Sequence, residues 1–210
     1  MKLIFRCVVL AGLVALASCA TTTTLVTTDD SKSGYVVVSL HEKIVEDDAS
    51  LGFPSATTVT FRRVGGSDDA TIANRAAESA AVGDFGDGKR ERGQVFVLKV
   101  QAGTWRFDEW KLTYVGPWTT ERFNDFPPLS FEVAPGTTTY IGAIQVSYSV
   151  GLSEYHLPRV EELSISLADQ SAADLEAAHR KYPRLGIQSV TVNAISNSSN
   201  LAVAHGSPQQ

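Results

Sequence analysis

The chain has 210 residues, of which 43% are hydrophobic and 20% are charged, and its formal net charge is −5. This length fits one ordinary domain with tails, and the hydrophobic fraction is high enough to exclude a wholly disordered chain. The acidic balance argues against nucleic acid as a partner, because phosphate binding needs clustered lysine and arginine. Two cysteines are too few for a disulfide-rich mini-protein or a four-cysteine zinc site.

The N-terminus has the pattern of an export signal. After a short basic start, residues 7–17 form an apolar stretch that is too short for a membrane-spanning helix, which needs about 20 residues. The stretch runs into Leu16-Ala17-Ser18-Cys19, which resembles the lipobox of bacterial lipoproteins. The resemblance implies that residues 1–18 are removed as a signal peptide and that Cys19 is acylated, which would attach the protein to a membrane.

The alternative for this segment is an ordinary secretory signal, cut at Ala17 or Ala20 to release a soluble protein. In enterobacterial lipoproteins an aspartate directly after the cysteine retains the protein in the inner membrane. Because that position is Ala20 here, the resemblance implies a lipid-anchored protein of the outer membrane, facing the periplasm or the cell surface. Residues 19–34 are polar and predict a flexible tether.

Residues 35–193 predict a mainly β domain. Short segments in which apolar and polar residues alternate are separated by glycine and proline turns, as in an antiparallel β-sandwich of the immunoglobulin-like or prealbumin-like type. The predicted strands are 35–40, 57–64, 94–100, 104–107, 110–114, 129–133, 140–148, 163–167 and 187–192. Residues 194–210 are rich in Ser, Asn, Gly and Gln and predict a disordered tail.

Two features interrupt the alternating pattern. Asp108 and Glu109 shift its phase by one residue, which predicts a β-bulge. Gly142 interrupts a row formed by Tyr140 and Ile144, which predicts a close approach of an aromatic ring to the backbone.

A long loop and one helix complete the predicted domain. Residues 65–92 predict a loop of unusual length, in which the alanine-rich part 70–82 could form a short helix. Residues 171–182 predict the one C-terminal helix, with Ser171 and Asp174 as an acidic capping box.

Two strand–turn–strand segments carry a family resemblance. Ala102-Gly103-Thr104-Trp105 and the segment from Pro135-Gly136 to Tyr140-Ile141-Gly142 each join an alternating strand to an aromatic residue through a glycine turn. With the helix that ends at Lys181-Tyr182-Pro183, they resemble small bacterial lipoproteins of the DUF2846-like group and their prealbumin-like or carbohydrate-binding-like relatives. The resemblance implies a β-sandwich at the cell envelope and no activity that could be carried over residue by residue.

Candidate catalytic or metal-binding residues are few. Glu154, His156 and Glu161 could be imagined to hold a metal, which would make the protein a metal-dependent hydrolase, but a solvated loop is the favoured interpretation. Asp84 and Asp87 form part of a faint calcium-like pattern without the spacing of an EF-hand. No serine has a visible His/Asp partnership in the sequence. We therefore expect no enzyme, no cofactor and no metal site.

Aromatic residues supply the one candidate for ligand binding. Trp105 and Phe107 alternate with polar residues and predict core positions, whereas Trp118 follows Gly116-Pro117 and predicts a loop. Trp118 is the predicted ligand-binding residue in the hypothesis of a carbohydrate-binding module. The leading hypothesis is a non-catalytic binding or structural protein of the envelope, held by its lipid anchor and contacting envelope proteins or glycans.

Overall fold

The structure is a computed structural model that describes the folded domain with gaps. The described residues are 30–45, 56–75, 83–86, 90–113, 120–123, 129–152, 154, 156, 158–183, 185, 190–192 and 202–205. The predicted lipidation site Cys19 and the predicted binding residue Trp118 lie outside them.

Within these described ranges, eleven strands and one α-helix follow a 3₁₀-helix at Asp30–Lys32. The strands are β1 (Ser33–Ile44), β2 (Ala56–Arg63), β3 (Asp69–Arg75), β4 (Glu91–Gln101), β5 (Gly103–Thr113), β6 (Thr120–Phe123), β7 (Ser130–Val133), β8 (Thr138–Leu152), β9 (Pro158–Ala168), β10 (Val190–Val192) and β11 (Ala202–His205). Helix α1 (Ser171–Lys181) lies between β9 and β10. These bounds place the first strand two residues inside the predicted tether.

The strands form two sheets that bury one core between them. Sheet A has the order β11-β9-β8-β1-β4, with β10 also paired to β8, and sheet B has the order β3-β2-β5-β6, with β7 also paired to β5. The apolar residues of alternating strands meet in this core, where Trp105 and Trp110 are each 1% exposed. The predicted mainly β sandwich with one short helix is confirmed, and so are the core positions of Trp105 and Phe107.

Sheet A is mixed rather than purely antiparallel, which corrects the prediction. β1 pairs with β8 in parallel, and so does β10, whereas the other neighbouring pairs are antiparallel. A tight hairpin forces an antiparallel pair, but the chain between β4 and β8 passes through sheet B. Because no hairpin joins β1 to β8, the connection does not impose an antiparallel pair, and the two strands pair in parallel.

One predicted irregularity is confirmed and the other has a different form. Thr60 pairs with Glu109 and Phe61 with Phe107, so Asp108 is the extra residue of a bulge. The pairing of β1 with β8 also shifts by one residue, between Tyr140 and Gly142. Gly142 has φ +116°, a conformation that favours glycine, and a Cβ there would lie 3.3 Å from the carbonyl oxygen of Ala168. The glycine therefore permits a bulge, not the close approach of an aromatic ring.

Two loop predictions are wrong. Residues 69–75 of the predicted loop 65–92 form the edge strand β3, paired along its length with β2, and not the start of a helix. Residues 202–205 of the predicted disordered tail pair with β9 as β11. Both segments are short and carry little pattern of their own. Each is a strand because it pairs with a partner strand, and a local sequence pattern does not show that pairing.

Helix α1 packs on the outer face of sheet A. Its buried Ala177 and Ala178 contact Val37, Val95 and Tyr140 in a second, smaller apolar cluster. The helix begins at Ser171, as predicted, but the predicted capping box is wrong. The Ser171 N–H donates to Asp169 Oδ1 at 2.9 Å, and the side chain of Asp174 is buried between the helix and sheet A. The Ser171 backbone hydrogen bond lowers the pKa of Asp169. No described helix is long and apolar enough to cross a membrane.

Candidate functional site

The second half of β1 carries polar side chains on both faces of sheet A. Glu42 points into the sandwich beside the core residues Leu40 and Ile44, and Ser39 and His41 point toward helix α1. Because side chains alternate along a strand, one short segment serves two different polar environments.

On the inner face, Glu42 forms a buried ion pair with Arg92 of β4. Arg92 Nε lies 2.6 Å from Glu42 Oε2 and Nη2 lies 3.1 Å from Oε1, so the contact is bidentate. From sheet B, Thr57 donates a hydrogen bond to Glu42 Oε1 and Asn74 Nδ2 donates to Oε2 at 2.9 Å. We call these four residues the inner cluster, and each is at most 2% exposed.

The inner cluster joins the two sheets at one end of the core. Glu42 and Arg92 belong to sheet A, whereas Thr57 and Asn74 are paired neighbours in sheet B. A buried carboxylate needs a counter-charge and hydrogen bonds, and this one has both. The cluster is therefore suited to holding the sheets in register.

On the outer face, the carboxylate of Asp174 receives two hydroxyl groups. Ser39 Oγ donates to Asp174 Oδ2 at 2.6 Å, and the phenol of Tyr140 donates to the same oxygen at 2.7 Å. The Gln170 N–H donates to the Tyr140 oxygen at 3.1 Å. Burial, followed by the hydrogen bond to Asp174 and its charge, raises the pKa of Tyr140 well above that of an ordinary tyrosine. Tyr140 is therefore a protonated donor.

His41 completes this outer network at its solvent side. Its Nε2 lies 3.1 Å from Ser39 Oγ and 3.7 Å from Asp174 Oδ1. Its ring contacts the ring of Phe85, with centroids 4.6 Å apart, and a Cβ at Gly93 would lie only 3.0 Å from His41 Nδ1. The imidazole is thus held in one position, although its side chain is still 21% exposed.

The residue types of this network match a Ser-His-Asp triad, but its geometry does not. In a triad the histidine lies between the serine and the aspartate, using a different ring nitrogen for each. Here Ser39 donates its proton directly to Asp174, and both residues lie on the Nε2 side of His41. Ser39 is also 0% exposed. The network fixes His41 and supplies no accessible nucleophile.

Beside His41, a cleft of about 320 Å³ opens on the outer face of sheet A. β1 and β8 form its floor, the segment 83–86 and the start of β4 form one wall, and Gln170 forms the other. The residues lining this His41 cleft are His41, Glu42, Lys43, Phe85, Gly86, Glu91, Arg92, Gln145, Val146, Ser147 and Gln170.

Segment 83–86, which forms one side of the cleft, is bound to sheet A and to helix α1. Asp84 Oδ2 accepts the Val95 N–H at 2.8 Å and lies 2.9 Å from Lys181 Nζ. Phe85 forms a backbone bridge with Gly93. Asp84, which the sequence associated faintly with calcium, is therefore engaged by a lysine and a backbone amide, and Asp87 lies outside the described residues.

The other residues singled out in the sequence do not form a site. Glu154 and His156 are both exposed, and the side chain of Glu161 lies outside what is described. In the described part of the chain, no group of three or more His, Cys, Asp and Glu side chains could hold a metal ion. The structure therefore gives no geometric support to the metal-dependent hydrolase alternative.

Sequence reasoning missed both polar groups on β1. Ser39 lies in the predicted strand 35–40, and His41 lies just beyond its predicted end. In the structure β1 continues to Ile44 and places both on one face, but their partner Asp174 is 135 residues from Ser39. The one available sign was Glu42, a charged residue in the alternating row that Leu40 and Ile44 otherwise keep apolar.

Comparison with known proteins assigns no family. No family model matches the sequence, and no curated protein matches it. The chain has a structural similarity to a leucine-rich repeat protein from Bacteroides thetaiotaomicron, with 12% identity and a TM-score of 0.33. The match covers 56% of this chain and 14% of that protein's chain, and a likeness this weak carries no argument about fold or function.

Proposed function

We propose that this chain is a lipid-anchored protein of the outer membrane whose β-sandwich is a non-catalytic binding module, with the His41 cleft as its binding site. The observation that carries the proposal is the cleft itself: polar side chains line a concavity whose floor consists of two paired strands. Binding sites commonly combine a pre-formed concavity with a few polar groups that fix the orientation of a ligand.

The anchor part of the proposal is supported by the Leu16-Ala17-Ser18-Cys19 motif and by the polar composition of the residues that follow Cys19, which is typical of a tether. An acyl chain at Cys19 would then hold the domain near the membrane without contributing to its core.

Membrane fractionation of cells that express the Cys19→Ala chain tests the anchor. We expect the wild-type protein in the membrane fraction and the Cys19→Ala protein in the soluble fraction. Cys7→Ala is the matched control, because Cys7 lies in the segment that cleavage would remove, and it should fractionate like the wild type. Membrane association that survives Cys19→Ala would overturn the anchor.

Obstructing the cleft tests the binding site. Ser147→Tyr places a ring in the cleft from β8, and Thr58→Tyr places the same ring on the outer face of β2, in the other sheet. We expect some members of a panel of neutral, acidic and basic small molecules to raise the melting temperature of the wild type and of Thr58→Tyr, but not that of Ser147→Tyr. Ligands that act equally on both variants would place the binding site elsewhere, and a panel without effect would contradict the binding function.

A further inference from the structure

The charges around the His41 cleft are compensated within the protein. Lys43 and Glu91 carry their charges on the same face of sheet A as the cleft, and Lys43 Nζ lies 2.9 Å from Glu91 Oε1. Glu42 and Arg92 also line the cleft, but their side chains bind each other in the inner cluster, on the opposite face of the sheet. An ionic ligand would have to compete with a partner that is already in place, which disfavours anions and cations alike.

Neutral hydrogen-bonding groups in the cleft are, in contrast, available. Gln145 and Ser147 line the cleft from β8 and are only half-buried, and neither side chain makes a hydrogen bond to another described residue. Gln170, at the N-terminus of α1, makes no side-chain capping bond. Amide and hydroxyl side chains both donate and accept hydrogen bonds, so they match ligand hydroxyl groups, which do the same.

The pairing of β1 with β8 places four polar side chains of the cleft at the corners of a small rectangle. His41 is the register partner of Gln145, and Lys43 is the register partner of Ser147. Neighbouring strands are about 4.8 Å apart and residues two apart on one strand are about 6.6 Å apart. Four polar groups at this spacing cover an area comparable to a single sugar ring.

One wall of the cleft supplies an apolar surface next to the polar floor. The Phe85 ring packs against the His41 ring, and the bridge between Phe85 and Gly93 holds it at the cleft edge. An aromatic ring buries the C–H face of a sugar while its hydroxyl groups reach polar side chains. The volume of about 320 Å³ lies at the small end of ligand sites, which span roughly 300–1,000 Å³.

From these observations we infer that the ligand of the His41 cleft is a neutral polyhydroxylated molecule of the carbohydrate class, of about one sugar ring in size. The inference rests on the proposed binding function and names its ligand class. Gln145 and Ser147 form the main hydrogen bonds, and the Phe85 ring contacts the apolar face. This site differs from the predicted one at Trp118, which lies outside the described residues.

Ligand-observed NMR of the full Cys19→Ala chain with three groups of sugars tests the inference. The neutral group is glucose, galactose and N-acetylglucosamine, the acidic group is glucuronate, and the basic group is glucosamine. We expect at least one neutral sugar to bind, and its affinity to fall about three- to tenfold in Gln145→Ala and in Ser147→Ala. Thr58→Ala, on the outer face of β2, should bind like the unmodified chain, and all three variants should keep their melting temperatures.

Other outcomes separate this inference from the binding function. Binding of glucuronate or glucosamine alone, weakened by Gln145→Ala, would overturn the ligand class while leaving the cleft as a binding site. Binding of a neutral sugar that neither β8 variant weakens would overturn the site. If no sugar binds, the ligand class is wrong, and the effect of Ser147→Tyr on the wider panel then decides whether the cleft binds any small molecule.

Discussion

The two faces of β1 use polar side chains in opposite ways. On the inner face, Glu42 has Arg92, Thr57 and Asn74 as partners and is 1% exposed. On the outer face, the cleft that begins at His41 presents Gln145 and Ser147 without side-chain partners among the described residues. A polar group that is satisfied within the protein contributes to stability, whereas one left unsatisfied at the surface is available to a ligand. The comparison therefore assigns stability to the inner cluster and binding to the cleft.

Removal of the inner carboxylate should produce the largest loss of stability. Glu42→Ala removes the carboxylate that binds the buried Arg92 guanidinium through two contacts, and we expect the free energy of unfolding to fall by about 3–5 kcal/mol. Lys43→Ala is the neighbouring control, because its pair with Glu91 is more than half exposed and should contribute less than about 1 kcal/mol. Chemical denaturation measures both values. Equal losses in the two variants would refute the distinction between the faces of β1.

Removal of the outer carboxylate should have the second largest effect. Asp174→Ala deprives the buried hydroxyls of Ser39 and Tyr140 of their acceptor, and we expect a loss of about 1–3 kcal/mol. Glu176→Ala, on the exposed side of the same helix, should change stability by less than about 0.5 kcal/mol. Denaturant titration of both proteins gives the comparison, and an Asp174→Ala protein as stable as Glu176→Ala would contradict a structural role for the outer network.

Alkaline pH should weaken the same network through Tyr140. Because its pKa is raised in the folded state, folded Tyr140 keeps its proton at a pH where unfolded Tyr140 loses it. Its contribution to stability is complete below the unfolded pKa of about 10 and declines as the pH rises above that value. We expect the melting temperature of Tyr140→Phe to fall less steeply than that of the wild type between about pH 9 and pH 12.

Tyr182 serves as the comparison for this pH dependence. Burial, followed by the charge of Asp84, raises its pKa as well, so Tyr182→Phe should also flatten the alkaline decline. If the melting temperatures of the wild type and Tyr140→Phe fell equally steeply with pH, Tyr140 would ionise alike in the folded and unfolded states. That result would contradict a buried Tyr140 hydroxyl that donates to Asp174.

The cleft variants should have the smallest effect on stability. Gln145 and Ser147 are half-buried and make no side-chain hydrogen bond to other described residues, so replacing either by alanine should change the free energy of unfolding by less than about 0.5 kcal/mol. Chemical denaturation again measures the change. A loss near that of Asp174→Ala would show that these side chains support the fold and would remove them from the proposed binding surface.

The sandwich was predictable because its strands carry their own pattern. Alternating apolar residues located Trp105 and Phe107 in the core, and a one-residue phase shift located the bulge at Asp108. Helix α1 was predictable for a similar reason, since its alanines favour a helix and Pro183 follows its end.

The candidate site was not predictable, because long-range pairing creates it. The bulge near Gly142 turns Tyr140 away from the core and toward α1, so a simple alternation places it on the wrong face. Asp174 fits a local capping pattern, yet its partners come from β1 and β8. Gln145 and Ser147 differ in no visible way from other polar strand residues until the pairing of β1 with β8 places them beside His41.

Backbone-amide NMR of the full Cys19→Ala chain during titration with a neutral sugar that binds is the most direct test of the distinction between the two faces. We expect the largest shift changes at residues 41–43, 85–86, 145–147 and 170, which line the cleft, and only small changes at Thr57 and Asn74 of the inner cluster. Shift changes concentrated on sheet B, or spread evenly over the domain, would contradict the assignment of binding to the His41 cleft.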